Sequence, residues 1–328
     1  MKVAIFSFAH MHAYSYAAIL SRRKDIELAF VADENEERGS SAAEKYGARF
    51  VPDYQAVLNQ PDVEAVVICS ENARHAEMVV AAAEAGKHVL CEKPIATSME
   101  DGRRMVAACN EASVKFQIAF PIRFSTPVQR VKHQVDQGKL GQLMAINGTN
   151  RGQNPGGWFV DPALSGGGAV LDHTVHVIDI MRWYTGSEVR EVYAEVGTRF
   201  SARSVDDCGL LTMSFENGVI AAHDPSWSRP KTFPTWGDVT LRLIGTAGAL
   251  TVDALAQNLV RYDDEAGTVK HIMWGDDPDE QMLNSFIESI YNDAAPLVTG
   301  EDGLKATEVA LAAYESARTG RPVKLPLS

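Results

Sequence analysis

Three short stretches of this chain carry side chains able to move a proton or stabilise a negative charge. In AVLDHTVHVIDIMRW, Asp172 and His176 stand four residues apart and on a helix would share a face. A carboxylate one turn from an imidazole can orient it and raise its basicity, whereas the same pair on a surface has little consequence. Glu92-Lys93-Pro94 follows the apolar run KHVLC. An ammonium at the mouth of a sheet needs compensation for its burial, and there it could exchange a proton or clamp a hydroxyl; an exposed salt bridge is the alternative. The third stretch, SFAHMH, brings His10 and His12 into one loop. These two could join Asp172 and His176 around a metal, but loop histidines making ordinary hydrogen bonds are the preferred reading, and no metal is expected.

The elements that must position these groups change character near Pro121. Up to that point, short apolar runs alternate with helical patterns: KVAIF, IELAFVAD, ARFV, VEAVVICS, KHVLCEK and VKFQIAF, with helices between them. Apolar strands of this length suit a parallel sheet covered on both faces, and the alternation predicts a doubly wound α/β domain over 1–121. Right-handed crossovers then put every strand's C-terminal end on one edge. Ser7 to His12, Asp33, Ser70-Glu71-Asn72, Glu92-Lys93-Pro94 and Phe120-Pro121 fall there. Residues 122–328 read as an α+β domain with mostly antiparallel sheet. A helix over TPVQRVKHQVDQG, a strand in LMAINGTNR, a glycine-rich NPGGWFVDPALSGGG and the helix carrying Asp172 come first. The strands EVYAEVGTRF, CGLLTMSFENGVIAAHDPSW, DVTLRLIGTAGALTV, NLVRYDD and TVKHIMW follow, with hairpin punctuation at Glu216-Asn217-Gly218 and Gly245-Thr246-Ala247-Gly248. Two helices close the chain, from about Asp279 to Asn292 and Gly303 to Thr319.

The first strand-to-helix turn is where a dinucleotide-binding chain places Gly-x-Gly-x-x-Gly, so that backbone can approach a pyrophosphate at a helix N-terminus. Ser7, Ala9 and His12 occupy those positions here. Ser7 and Ala9 are small enough for close approach; His12 is large. Asp33 lies 26 residues after Ser7, near the ~20 expected of the acid that holds an adenosine ribose. With Glu34 beside it, a 2′-phosphate is disfavoured, so NAD is preferred and NADP left open. The competing reading is that Asp33 caps the next helix.

The totals exclude other classes. With 31 basic and 43 acidic side chains in 328 residues, the net charge is −12, which disfavours nucleic acid and anionic membranes as partners. The four cysteines, Cys69, Cys91, Cys109 and Cys208, show no metal-finger or C-x-x-C spacing. No apolar run approaches the ~20 residues that span a bilayer. The start has no secretory pattern. A cytoplasmic protein is expected.

Taken together, VEAVVICSENARHAEMVVAAAEAGKHVLCEKPIA and SGGGAVLDHTVHVID resemble the Gfo/Idh/MocA oxidoreductases, the family of glucose-fructose oxidoreductase and inositol dehydrogenase. The resemblance covers essentially the whole chain. The second stretch is similar to the family's Gly-Gly-Gly…Asp-x-Gly-x-His pattern, with Thr174 in place of the last glycine. The resemblance implies a Rossmann domain, a C-terminal α+β domain built on a large, mostly antiparallel open sheet whose face often forms a dimer contact, a nicotinamide cofactor and, usually, a sugar or polyol substrate. It implies that Lys93, Asp172 and His176 are catalytic. Ser70, Asn72 and His75 match the stretch lining the cofactor, with Glu71 where proline is usual. Trp158 matches a Trp-x-x-Asp-Pro segment and Arg123 an Arg-Phe near the domain junction. With Ser7, Ala9, His10, Met11, Asp33, Glu92 and Lys93, these form the expected cofactor set.

The expected activity is NAD(P)-dependent hydride transfer to or from a sugar, inositol or related polyol. His176 is the first choice of base, Lys93 holds the substrate oxygen and Asp172 orients these partners. A metal-dependent non-redox carbohydrate isomerase or lyase, and an inactive ligand-binding or regulatory relative, are the alternatives. The expected assembly is a homodimer or homotetramer through the C-terminal sheet.

Overall fold

The computed structural model describes residues 1–202, 204–256, 258–273 and 275–327. The chain divides into two compact units: residues 1–120, 163–166 and 279–304 form the first, and 121–162, 167–278 and 305–328 the second.

The first unit runs β1 (Lys2–Phe6), α1 (His12–Arg22), β2 (Glu27–Ala32), α2 (Glu36–Tyr46), β3 (Arg49–Val51), α3 (Gln55–Leu58), β4 (Val63–Ile68), α4 (His75–Glu84), β5 (His88–Cys91), α5 (Met99–Glu111) and β6 (Phe116–Ile118). All six strands are parallel, in the order β3-β2-β1-β4-β5-β6. The order reverses between β1 and β4, and the crevice beyond their C-terminal ends is where such sheets bind ligands. The local sequence explains the punctuation. Asn35 caps α2 by accepting Arg38 N–H at 2.9 Å, with Glu36 and Glu37 at the positive end of the helix. Ser98 caps α5 in the same way. Val3, Ala4, Ile5 and Phe6 of β1 are buried, as are Val66, Val67 and Ile68 of β4, so the central strands are apolar on both faces.

The second unit begins with α6 (Thr126–Asp136) and the ten-residue β7 (Leu143–Gly152). A short turn of helix, α7 (Pro162–Ser165), most of which belongs to the first unit, precedes α8 (Ala169–Thr185) in the chain. The strands β8 (Val189–Gly197), β9 (Cys208–Phe215), β10 (Ile220–Ser226), β11 (Gly237–Gly245) and β12 (Gly248–Asp253) follow, with β13 (Asn258–Asp263) and β14 (Thr268–Met273) as a separate hairpin. Trp274, which the sequence reading adds to the last of these strands, lies outside the described residues. Of the closing elements, α9 (Pro278–Tyr291) packs in the first unit, and α10 (Gly300–Thr319) leads to β15 (Val323–Lys324) in the second. The large sheet has the order β12-β11-β7-β10-β9-β8-β15. It is antiparallel except for β7 and β10, which pair in parallel. Helix α8 lies on this sheet against β7 and β10. Only Trp183 and Thr185 of its seventeen residues escape burial.

No helix of the described residues is long and apolar enough to cross a membrane.

Candidate active site

The first unit gathers its polar side chains at the C-terminal ends of β1, β2, β4 and β5. Ser7 follows β1 with φ of 67°, the left-handed conformation that a glycine would hold without strain. The turn therefore keeps a glycine's backbone geometry without the glycine. Five of its N–H groups have acceptors within the protein. Ser7 N–H donates to Ala32 O (2.7 Å), Phe8 N–H to Asp33 Oδ2 (2.7 Å) and Ala9 N–H to Ser7 Oγ (3.1 Å). His10 N–H donates to Cys69 O (2.9 Å), and His12 N–H, opening α1, to His10 Nδ1 (3.2 Å). A serine hydroxyl and an imidazole thus accept bonds that a glycine-rich turn offers to phosphate. Met11, between the two histidines, is half exposed.

Asp33 is buried just beyond β2 and accepts four hydrogen bonds. Besides Phe8 N–H these come from Asn35 N–H (2.9 Å), Arg38 Nε (2.8 Å) and Arg38 Nη2 (2.7 Å). Asn35, not Asp33, is the cap of α2, so the capping alternative for Asp33 does not hold. Arg38, the partner of this carboxylate, is not marked by any motif in the sequence; an arginine in such a position can accommodate a 2′-phosphate. Beside Asp33 opens a cavity of about 210 Å³, with Ser7, Glu34, Tyr54, Arg74 and Met78 among its lining. Glu34 pairs with Arg74 at 2.5 Å. The cavity thus carries both charged and apolar side chains beyond the ends of β1 and β2.

Beyond β4, Ser70 is buried and its hydroxyl turns back to Glu71 O. Asn72 donates to Ser165 O at 2.9 Å. His75 sits between Pro94 O (3.0 Å) and Ser70 O (3.3 Å), and burial lowers its pKa. It ties the end of β4 to the loop after β5. Glu92 and Lys93 are both buried, at 1% and 4% exposure, so the exposed-salt-bridge alternative is excluded. Glu92 Oε1 accepts Tyr16 Oη–H (2.7 Å) and meets His12 Nδ1 at 2.9 Å; Oε2 accepts Lys93 N–H (3.1 Å). Burial alone would raise the Glu92 pKa. The imidazoles of His10 and His12, with Lys93, outweigh it and hold the carboxyl well below the usual carboxylate range. Burial by itself would lower the His12 pKa, but the Glu92 carboxylate overrides it and raises the value.

In the second unit the expected site residues lie on α8. Asp172 and His176 are each 7% exposed, so they are not a solvated surface pair. Asp172 Oδ2 accepts Trp227 Nε1–H at 3.1 Å and lies 3.2 Å from His173 Nε2. His173 Nδ1 faces Asn150 O at 2.8 Å, and since a carbonyl only accepts, that nitrogen carries a proton. The residue following β10 thus orients Asp172 through Trp227, and the His173 ring, anchored to β7, lies alongside the carboxylate. The N-terminus of α8 is occupied. Asp206 accepts Gly168 N–H (2.9 Å) and Val170 N–H (2.7 Å), and Tyr314 Oη donates to it at 2.7 Å. Burial raises the Asp206 pKa against these bonds. Gly167 and Gly168, just before the helix, therefore make room for Tyr314 and Asp206. A Cβ on Gly168 would stand 1.9 Å from Asp206 O. No motif in the sequence marks Asp206, Tyr314 or the pairing of Trp227 with Asp172.

Two more expected site residues have structural partners. Arg123 is buried, its guanidinium paired with Asp179 and lying over the Trp183 ring. Trp158 stacks on Phe159, with centroids 3.9 Å apart. Of the four metal candidates, His10 and His12 are grouped, and the third member is Glu92.

Comparison with known proteins agrees with this architecture. Residues 1–120 match the model of an oxidoreductase family with an NAD-binding Rossmann fold, and residues 128–251 that of the GFO/IDH/MocA C-terminal domain. The chain is 30% identical over 322 residues to the uncharacterized oxidoreductase YrbE of Bacillus subtilis, covering 93% of this chain and 91% of that one. It is 29% identical to the myo-inositol 2-dehydrogenase of Thermotoga maritima, with 94% of each covered. Among solved structures it is similar to scyllo-inositol dehydrogenase from Lactobacillus casei, which has NAD(H) and scyllo-inositol bound. There the TM-score is 0.83 at 27% identity, with 99% of this chain and 98% of that one covered. With the glycine-rich entry to α8, the Glu-Lys-Pro turn and a six-stranded parallel sheet all in place, the chain belongs to the Gfo/Idh/MocA family of NAD-binding oxidoreductases.

Proposed function

We propose that this protein interconverts a secondary alcohol and a ketone on a sugar, inositol or related polyol. The observation that carries the reading is the carboxylate of Asp172, held by Trp227 and flanked by His173, one helical turn from His176. When bound, NAD supplies the acceptor for hydride, or as NADH its donor. As carbon gives up hydride, the hydroxyl proton must leave. His176 takes it, because a neutral imidazole is the ordinary form of the side chain near neutral pH. Lys93 holds the substrate oxygen and stabilises its developing charge. Asp172 orients these partners. Asp33 serves the cofactor's adenosine ribose, with Ser7, Ala9, His10, Met11, Ser70, Asn72 and His75 along the same edge. Glu92 supports Lys93 through its backbone N–H, and Arg123 and Trp158 border the site.

The dehydrogenase and reductase names of the relatives favour hydride transfer over an isomerase, a lyase or an inactive relative. We place the working boundary between cofactor and substrate domains at 121/122. A homodimer or homotetramer through the seven-stranded sheet is part of the same reading, supported by exposed Met144, Leu210 and Ile220 on its strands. So is a cytoplasmic location, since Cys69, Cys91 and Cys109 serve as buried core thiols. The test is a fluorescence titration with NADH and NADPH, followed by turnover of a panel of inositols and sugars. Saturable NADH binding and turnover that Lys93→Met and His176→Asn abolish are expected; binding of neither cofactor would end the redox reading.

A further inference from the structure

The turn after β1 has lost its glycines and gained two imidazoles, and both meet the carboxylate of Glu92. His12 Nδ1 lies 2.9 Å and His10 Nδ1 3.8 Å from Glu92 Oε1. The imidazole centroids are 4.3 Å apart. One ligand atom from each of the three residues falls within a 4.8 Å group. Donors bound tetrahedrally at ordinary Zn–N and Zn–O lengths stand about 3.3 Å apart, so the two distances to Oε1 bracket what a shared ion requires.

The surroundings suit an ion as well. The His10 and Glu92 side chains are 3% and 0% exposed, so the protein holds two of the three groups in place. His12 is 34% exposed, which leaves a path of entry from solvent. Tyr16 Oη–H and Lys93 N–H fix the Glu92 carboxylate, the outer support that ligating carboxylates carry. His10 Nδ1 accepts the His12 N–H, so it is unprotonated, and its lone pair can pass from that N–H to a metal.

We propose that His10, His12 and Glu92 form a binding site for a divalent transition-metal cation, of the imidazole–imidazole–carboxylate type that suits Zn²⁺. Coordination engages His10 Nδ1 and displaces the proton that His12 Nδ1 shares with Glu92. It also releases His12 N–H, at the first residue of α1, for an anion. The ion and the freed N–H together supply positive potential where the glycine turn would have presented backbone donors to a pyrophosphate. This last step rests on the dinucleotide reading of the turn; the metal site itself does not.

Metal-free, untagged full-length protein titrated with Co²⁺ alone tests the site. One equivalent with the visible absorption of tetrahedral cobalt, displaced by Zn²⁺, is expected. His12→Ala and Glu92→Gln should each weaken uptake about 100-fold, while His133→Ala, on α6, leaves it unchanged. Uptake below about a tenth of an equivalent, or equal uptake by His12→Ala, overturns the site. NADH titrations with and without Zn²⁺ test the coupling, with roughly tenfold tighter NADH binding expected when the ion is bound. Unaltered NADH affinity overturns the coupling. Absence of NADH binding in both states counts against the redox reading, while the cobalt result still decides the site.

Discussion

Asp33 grips the guanidinium of Arg38 with both carboxylate oxygens, at 2.8 and 2.7 Å, while the same two oxygens accept the N–H groups of Phe8 and Asn35. A carboxylate offers about four lone-pair sites, and all four are engaged. On the proposed cofactor role of Asp33, a ribose hydroxyl shares it with Arg38 or displaces that guanidinium. Removing one partner should leave the other to choose the cofactor. Asp33→Asn keeps an acceptor for Phe8 N–H, removes the charge and releases Arg38 toward a 2′-phosphate. It should shift the NADH:NADPH affinity ratio toward NADPH by about 10- to 100-fold, the scale of one charged hydrogen bond. Arg38→Ala should move the ratio the other way. Paired titrations of the two variants check this, and shifts of the same sign in both would contradict it.

Trp227 acts on Asp172 without belonging to any motif. Trp227→Phe keeps aromatic packing against Phe159 and Ala169 but deletes the 3.1 Å hydrogen bond to Asp172 Oδ2. A hydrogen bond to a charged group contributes about 1.5–3 kcal/mol. With half of that expressed in the transition state, kcat falls about three- to tenfold. NADH affinity should be untouched, because the expected ribose and turn contacts belong to the first unit and Trp227 to the second. Steady-state kinetics beside a cofactor titration separate the two effects. A rise in KM at constant kcat would show that Trp227 serves substrate binding instead.

Both sheets are legible in the sequence because they follow from pattern: apolar strands alternating with capped helices in one unit, short strands joined by turn residues in the other. The parallel pairing of β7 with β10 is not, because nothing local in either strand says which neighbour it will take. The same divide runs through the site. Lys93, Asp172 and His176 stand in stretches whose residue types announce chemistry. Glu92 stands out in the residue pattern as a neighbour of Lys93, although its Oε1 accepts from Tyr16, meets His12 at 2.9 Å and lies 3.8 Å from His10. Asp206 and Tyr314 hold the start of α8 from 38 and 146 residues beyond Gly168. Contacts at that separation leave no periodicity to read.

His223 should make the fold sensitive to mild acid. It lies on β10 at 1% exposure, with Nδ1 facing Gly148 O at 3.3 Å. Burial, with a smaller push from His173, takes its pKa down to about 3. An unfolded histidine titrates near 6.5. Between these two values the unfolded chain binds a proton that the folded chain refuses, so stability falls as pH falls. At about 1.36 kcal/mol per pH step, the loss from roughly pH 6.5 to pH 5 is about 2 kcal/mol. His223→Asn removes the titrating group, and its stability should decline less over that range. Urea unfolding at a series of pH values gives the comparison, and parallel curves for the two proteins would rule out His223 as the sensitive group.

Gly168 tests how α8 is started. An added Cβ would meet Asp206 O at 1.9 Å, Asp206 C at 2.8 Å and Asp206 N at 2.9 Å, all backbone atoms that cannot rotate away. Gly168→Ala must therefore push the Asp206 loop aside. That motion sacrifices the bonds from Gly168 N–H and Val170 N–H to the Asp206 carboxylate. Overpacking of this kind destabilises by about 1–3 kcal/mol, and loss of the helix cap adds about 1 kcal/mol. Because the clash is with backbone, shortening the side chain by Asp206→Ala should not rescue Gly168→Ala; the double variant should be no more stable than the single one. Rescue in a denaturation experiment would mean that the glycine accommodates the carboxylate and not the chain. The same displacement would shift the first turn of α8, which carries Asp172, so kcat should fall in Gly168→Ala even where the protein remains folded.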